Sequence, residues 1–424
     1  MQHMNKIIVE EVRVYENRLE CVYSVHGEWT KYFQPTNTFF VEYSMNIEAV
    51  PKSIAIIPFL CNILPVVWIF DGEVAVEDID KDFYESIEEF KQGFIHMYPQ
   101  LSFKGRIITR KVTDNSKEAS DKTATFFSGG VDAYNTLITH IEEKPILVTL
   151  WGADIALEDQ IGWKRVDQWI GGIANDNQLG NLSIKTSFRS FLNEGALSEY
   201  TALRTGNHWW YGFQHGIGII GHVAPAAYTA KIGKIYIASS LTEEDHSTCA
   251  SDPTIDNFVR FCGCRVAHDG YEYSRQHKVN RISEYVKRTK SPIHLRVCWE
   301  SEGGSNCCQC EKCHLTILCL LAGKNDPREY GFQYKDEELA DMMKAFRNEI
   351  HFSHPSCIVL YLIIQEELRK NYSLAQLDPG LRWYYKTDLK KELSFLKRLQ
   401  YRLIRKMKKI FQHNIYHLDK ELNY

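Results

Sequence analysis

The sequence predicts an α/β protein built on a doubly wound parallel sheet, with an α+β segment before it and a helical region after it. Three observations carry that expectation. The stretch TATFFSGGVDAYNTL, residues 123–137, turns from a strand-like run through two glycines into a helix. A continuous apolar run, PILVTLWG at 145–152, follows it and suits a strand buried on both faces. Four cysteines, Cys298, Cys307, Cys310 and Cys313, then stand in C-x8-C-x2-C-x2-C order.

The 424 residues are enough for two or three domains with a large core. An apolar share of 44% and a charged share of 25% are those of a globular protein. The formal net charge of −4 offers no general attraction to nucleic acid or to an anionic membrane. The opening residues MQHMNKIIVEEV contain no apolar leader, and no apolar run reaches the roughly 18 residues of a membrane span. A cytoplasmic protein without a transmembrane segment is therefore expected. Twelve cysteines, clustered rather than scattered, then point to metal or reactive thiols rather than to a disulfide framework.

Residues 1–112 read as an N-terminal α+β domain. β-rich runs at 7–15, 19–25, 38–43, 54–58 and 66–70 are parted by turn signals such as Glu16-Asn17 and Asp71-Gly72. An amphipathic helix follows, with Phe83, Ile87, Phe90, Phe94 and Met97 on one stripe and Pro99 just beyond. No catalytic constellation falls here. The polar, aperiodic TDNSKEASDK at 113–122 is the expected linker.

In the next segment, residues 123–127 form a strand that ends at Ser128, Gly129, Gly130 and Asp132, ahead of a helix carrying Ala133, Leu137 and Ile138. Backbone N–H groups at such a helix start have no intrahelical acceptor and sit at the positive end of the dipole, which makes a seat for phosphate. An ordinary strand-to-helix turn uses the same residues. The lysine of a Walker loop and the third glycine of a dinucleotide fingerprint are both missing. A helix with Ile161, Val166, Trp169, Ile170 and Ile173 then joins the apolar strand to a third near 182–186. Ligands of such sheets bind beyond the carboxyl ends of the strands, so Gly152 and Asp154 fall where a nucleotide or its magnesium would be met. The alternative for Asp154 is the N-cap of the next helix.

The run HWWYGFQHGIGIIGHVAPAAYTA, at 208–230, reads as a buried helical pair with His208, His215 and His222 on one face as core or pocket histidines. KIYIASS at 234–240 is a further strand. Asp252 and Asp256 flank the following turn, and Arg275 and Lys278 stand in a helix that is either solvated or phosphate-binding. Cys249, Cys262 and Cys264 read as core cysteines. The C-x2-C turns at Cys307, Cys310 and Cys313 fold thiolates onto one ion, and the loop back to Cys298 supplies a fourth ligand. Four thiolates close a tetrahedron, so the site reads as structural zinc, with an iron–sulfur cluster as the alternative.

Ser128, Gly129, Gly130 and Asp132 resemble the SGGxDS loop of the PP-loop ATP pyrophosphatases, with Ala133 in place of the final serine. With the cysteine spacing, Cys298-Trp299 and the placement of Lys278, residues 123–323 look like the 7-cyano-7-deazaguanine synthase (QueC) family. Departures are Ala133, Cys308 for a glycine, and Trp151-Gly152-Ala153-Asp154 for a YGQ-type segment. The resemblance implies a PP-loop, HUP-like fold with ATP, Mg2+ and Zn2+ as cofactors. Ser128, Gly129, Gly130, Asp132, Gly152 and Asp154 would bind nucleotide, Asp132 and Lys278 would serve catalysis, and the four cysteines would hold zinc. The implied reaction is adenylation of a carboxylate, 7-carboxy-7-deazaguanine in the family, with release of pyrophosphate, followed by amine attack to an amide or nitrile.

Enlarged members resembling this layout imply attachment of a deazaguanine to a partner protein in anti-phage defence. Gln2 stands where glutamine-dependent amidotransferases carry a cysteine, so free ammonia or a partner's amine is the expected nucleophile. Amidation or thiolation of a sugar or nucleoside, with Cys308 as the thiol, and a degenerate ATP-binding scaffold are the alternatives. A homodimer is an expected assembly. Residues 324–424 read as helical, ending in a helix with Leu389, Leu393, Leu396, Leu403, Met407 and Ile410 on one face. Its other face bears Lys390, Lys391, Lys397, Arg398, Arg402, Arg405, Lys406 and Lys408.

Overall fold

Alternating burial makes the first three strands. In β1 (Lys6–Val14), β2 (Arg18–His26) and β3 (Thr38–Tyr43), side chains such as Leu19, Cys21, Tyr23, Phe39, Val41 and Tyr43 point inward, while their neighbours meet solvent. The computed structural model describes residues 5–116, 120–245, 247–298, 304–352 and 357–394, with 396 and 399. It divides into two compact units, residues 1–242, 247–272 and 301–305 in one and the remainder in the other.

Among the described residues, the first unit is built on one sheet of eleven strands. The others are β4 (Glu73–Asp80), β5 (Arg106–Thr113), β6 (Lys122–Phe126), β7 (Ile146–Trp151), β8 (Asn181–Thr186), β9 (Ile232–Ala238), β10 (Arg260–Phe261) and β11 (Cys264–Asp269). They lie in the order β10-β11-β9-β6-β7-β8-β3-β2-β1-β4-β5. Most pairings are parallel, including the whole stretch from β11 to β8. The fold is therefore α/β, with the expected βαβ alternation at the centre of the sheet.

Two expectations give way here. A separate domain over 1–112 is not found, because β3 pairs antiparallel with β8, Val41 opposite Thr186 and Tyr43 opposite Ile184. The polar segment at 113–122 is thus a connection inside one sheet, and its residues 117–119 lie outside the described residues. The apolar runs at 54–58 and 66–70 are not strands but belong to helical structure: a short helix Lys52–Ala55 and then α1 (Ile57–Ile69). All thirteen residues of α1 are buried. A helix surrounded by core shows no amphipathic period, so its apolar run reads equally as a strand.

α2 (Lys81–Met97) carries the foreseen stripe, with Phe83, Phe90 and Phe94 fully buried, and the Asp80 carboxylate caps it by accepting from Phe83 N at 3.0 Å. α3 (Val131–Thr139), α4 (Gln160–Asp176) and α5 (Glu194–Thr205) follow β6, β7 and β8. The second unit contains α6 (Arg275–Thr289), α7 (Glu311–Ala322), α8 (Leu339–Glu349) and α9 (Cys357–Asn371). Ile317, Leu318, Met343, Phe346, Ile364 and Leu368 supply its buried apolar faces. Leu389 and Leu393 are buried at the end of the described chain, around a four-residue helix Leu389–Glu392. Leu403, Met407, Ile410 and the basic residues from Lys397 onward lie outside the described residues. Among the described residues no helix is long and apolar enough to cross a membrane.

Candidate functional site

β6 leads into the glycine turn at the centre of the sheet. Phe127 N donates to Val148 O at 2.8 Å and Thr149 Oγ1 to Phe127 O at 3.0 Å, so the start of the loop is tied to β7. Ser128 is exposed, and Gly129 takes φ +78, a left-handed conformation that glycine adopts at no steric cost. Gly130 is extended and caps α3 without a side-chain hydrogen bond; Tyr134 N donates to its carbonyl at 2.9 Å. Gly130 N donates to Ser128 Oγ at 3.4 Å, and the first turn stands at the positive end of the helix, where amides lie outside the helix's own hydrogen-bond ladder. Asp132 stands half-buried in that turn, and Ala133 is buried.

The strand order reverses beside this loop. β7 and β8 extend to one side of β6, whereas β9 lies on the other, which makes the carboxyl ends of β6 and β9 the switch point at which ligands of such sheets bind. At the end of β7, Gly152 takes φ +103, and a Cβ there would come within 2.2 Å of Thr186 O. Only glycine fits. Asp154 is exposed in the turn that follows, and it does not cap α4: Asp159 does, its carboxylate accepting from Gly162 N at 2.8 Å. Trp151 stacks on Trp163 with centroids 5.3 Å apart, and Lys185 Nζ lies 4.9 Å from the Trp151 ring centroid.

A polar cluster on the other side of α3 escaped the sequence reading. Thr136 Oγ1 donates to Asp269 Oδ2 at 2.7 Å, and His140 Nε2 lies 2.9 Å from Asp269 Oδ1. His140 Nδ1 is 2.9 Å from Glu143 Oε1, and its ring stacks 3.8 Å from that of Tyr236. The recurrence of Asp132, Thr136 and His140 every four residues was visible in the sequence. The partner Asp269 was not, since it lies more than a hundred residues away.

The remaining polar candidates are internal. Asp252 caps the short helix Pro253–Asp256, and Asp256 is fully buried, taking hydrogen bonds from Ser251 Oγ and His268 Nδ1 at 2.8 Å each. Burial raises the Asp256 pKa despite those two bonds. His208, His215 and His222 do not share a face, because the chain leaves its helical path at His215 and Gly216. His208 is exposed while His222 is buried, its Nε2 2.9 Å from Thr186 Oγ1. Cys249, Cys262 and Cys264 are buried core thiols.

In the second unit, Lys278 is buried on the first turns of α6, so a solvated face does not describe it. Cys298, Cys307, Cys310 and Cys313 converge, with all four Sγ atoms within 4.8 Å of one another. Cys298 and Cys310 Sγ are 3.8 Å apart, and Cys307 and Cys313 Sγ 4.0 Å. Four sulfurs about 2.3 Å from a central zinc would stand about 3.8 Å apart, so the donor set fits a tetrahedral ion such as zinc. Cys310 caps α7 and Cys313 lies in its first turn, while Gln309 N donates to Cys307 Sγ at 3.3 Å. Burial pushes the Cys310 thiol up to about 12 and that of Cys313 higher, so a cation is what would favour four thiolates here. Cys308, between the ligands, is buried at φ +56, the conformation a glycine would take without strain.

Ser128, Gly129, Gly130 and Asp132 thus form one turn, and Gly152 and Asp154 end the neighbouring strand. Lys278 and the four cysteines belong to the other compact unit. Compared with family models, curated proteins and solved structures, the chain matches none.

Proposed function

We propose that this chain is an ATP-dependent carbon–nitrogen ligase that activates a carboxylate as an acyl adenylate. The observation that carries the reading is the glycine-shaped start of α3 at the point where the strand order reverses. Amides at the start of α3 would hold the β- and γ-phosphates, the leaving pyrophosphate. A carboxylate oxygen attacks the α-phosphorus, the bond to the bridging oxygen breaks, and pyrophosphate departs. An amine then attacks the acyl carbon, a proton is lost, and AMP leaves with the bonding electrons. Asp132 would hold a magnesium ion, which when bound would offset phosphate charge. Zinc in the cysteine cluster would serve structure rather than the reaction.

The resemblance to the deazaguanine synthases makes 7-carboxy-7-deazaguanine the first substrate to try, with ammonia or a partner protein's amine as nucleophile. The test is pyrophosphate release from ATP by the metal-loaded protein with and without that acid. Stimulation that falls by at least about a hundredfold in Asp132→Ala is expected, the scale of losing one preorganised electrostatic group. Release without stimulation would discard this carboxylate. No release at all would leave a nucleotide-binding scaffold, as the missing hydroxyl at Ala133 would suit.

A further inference from the structure

Asp132 and Thr136 lie on one stripe of α3, and His140 follows at the C-cap of that helix. The top of the stripe is the loop carboxylate, and the lower two side chains grip a single partner, the two oxygens of Asp269. Asp269 ends β11, and its carbonyl accepts from Ser239 N at 2.8 Å, just past the end of β9. On its far side His140 meets Glu143, whose two oxygens also accept from Tyr236 OH at 3.0 and 2.8 Å. Lys234 Nζ stands 3.3 Å from the same hydroxyl. With a carboxylate on each ring nitrogen, His140 uses two N–H donors, which only the imidazolium form possesses.

We propose that Thr136, His140 and Asp269 form a positioning latch that fixes α3, and with it Asp132 and the loop of Ser128, Gly129 and Gly130, against β9 and β11. The three act on the loop through the helix. The inference rests on reading that loop as a phosphate seat, whose amides must be held to within about half an ångström to be effective.

Protonation couples to the latch. Burial opposes the charged form of His140, but the hydrogen bonds and charges of Asp269 and Glu143 outweigh it, so its pKa lies above the ordinary 6.5. The groups facing it are Asp269 from β11, Glu143 from the turn after α3, and Tyr236 with Lys234 behind it from β9. A raised pKa means that the latch is complete below 6.5 and loosens as the pH climbs through the raised value.

The experiment is amide hydrogen exchange over residues 128–135 of the full-length protein from about pH 6 to 9, corrected for intrinsic rates, with pyrophosphate release and the KM for ATP measured in parallel. Wild type should lose protection in this segment as the pH rises. In His140→Gln the segment should exchange about tenfold faster at the acid end and show no such pH dependence, with KM for ATP raised by a similar factor. Asp269→Asn, which keeps the shape and an acceptor for Thr136, should lose the pH dependence as well. Wild-type protection and an unchanged pH profile in His140→Gln would overturn the latch, whatever the enzyme does with ATP. A wild type that shows the pH-dependent protection but releases no pyrophosphate would instead overturn the ATP reading and leave the latch standing.

Discussion

His222 shows how one buried side chain ties stability to pH. It sits among Phe39 and Phe188 with Thr186 as its hydrogen-bond partner, and Tyr43 OH donates to its carbonyl at 3.0 Å. Burial holds the ring neutral, with a pKa pushed down to about 4 from 6.5. The unfolded chain takes up that proton at 6.5, whereas the folded chain resists it, so the stabilisation is present above 6.5 and is lost as the pH falls towards 4. The loss amounts to roughly 3 kcal/mol. Urea unfolding at about pH 7 and pH 4.5 should show this drop in wild type and a drop smaller by about 2 kcal/mol in His222→Gln. An equal drop in both would assign the acid sensitivity to other groups.

At the level of elements, legibility followed how local the deciding interaction is. The turn at Ser128 to Gly130 and the C-x2-C turns could be read because a few adjacent residues fix their geometry. α2 could be read because one face meets water. α1 could not, since every face of it is buried, and the strands β4 and β5 were missed because EVAVEDID and RIITRKVT carry charges that hide their alternation. The Asp269 grip on α3 was hidden for another reason: its two sides come from distant parts of the sequence. The cysteine cluster gives an element-scale prediction, because Cys310 is both a candidate ligand and the cap of α7. The purified protein should carry one equivalent of metal, and Cys310→Ser or a chelator should remove it. The same treatments should speed amide exchange at the start of α7 by at least about tenfold. Retention of the metal by Cys310→Ser would exclude the four-thiolate site.

For the whole molecule the decisive contact is the seam between β3 and β8. It joins strands that the sequence seemed to assign to different domains, and it is covered by aromatic packing: Phe191 stands 5.2 Å from Phe39, 5.8 Å from Phe59 and 6.2 Å from Tyr23 between ring centroids. A chain begun at residue 120 would strip that cover and open the edge of β8 to solvent. Such a fragment should aggregate on expression, whereas the full chain should sediment as a discrete species; a monodisperse fragment would show that the seam is dispensable. The seam also sets an order of events at the ribosome. Ile184 is made 141 residues after Tyr43, its partner across the seam. At about 5–20 residues per second, the outer edge of β3 waits for roughly 7–30 s before its neighbour emerges. During that interval nascent chains on one messenger hold matching open edges close together, so the yield of folded protein should depend on chaperone cover early in translation more than on the stability of the finished fold.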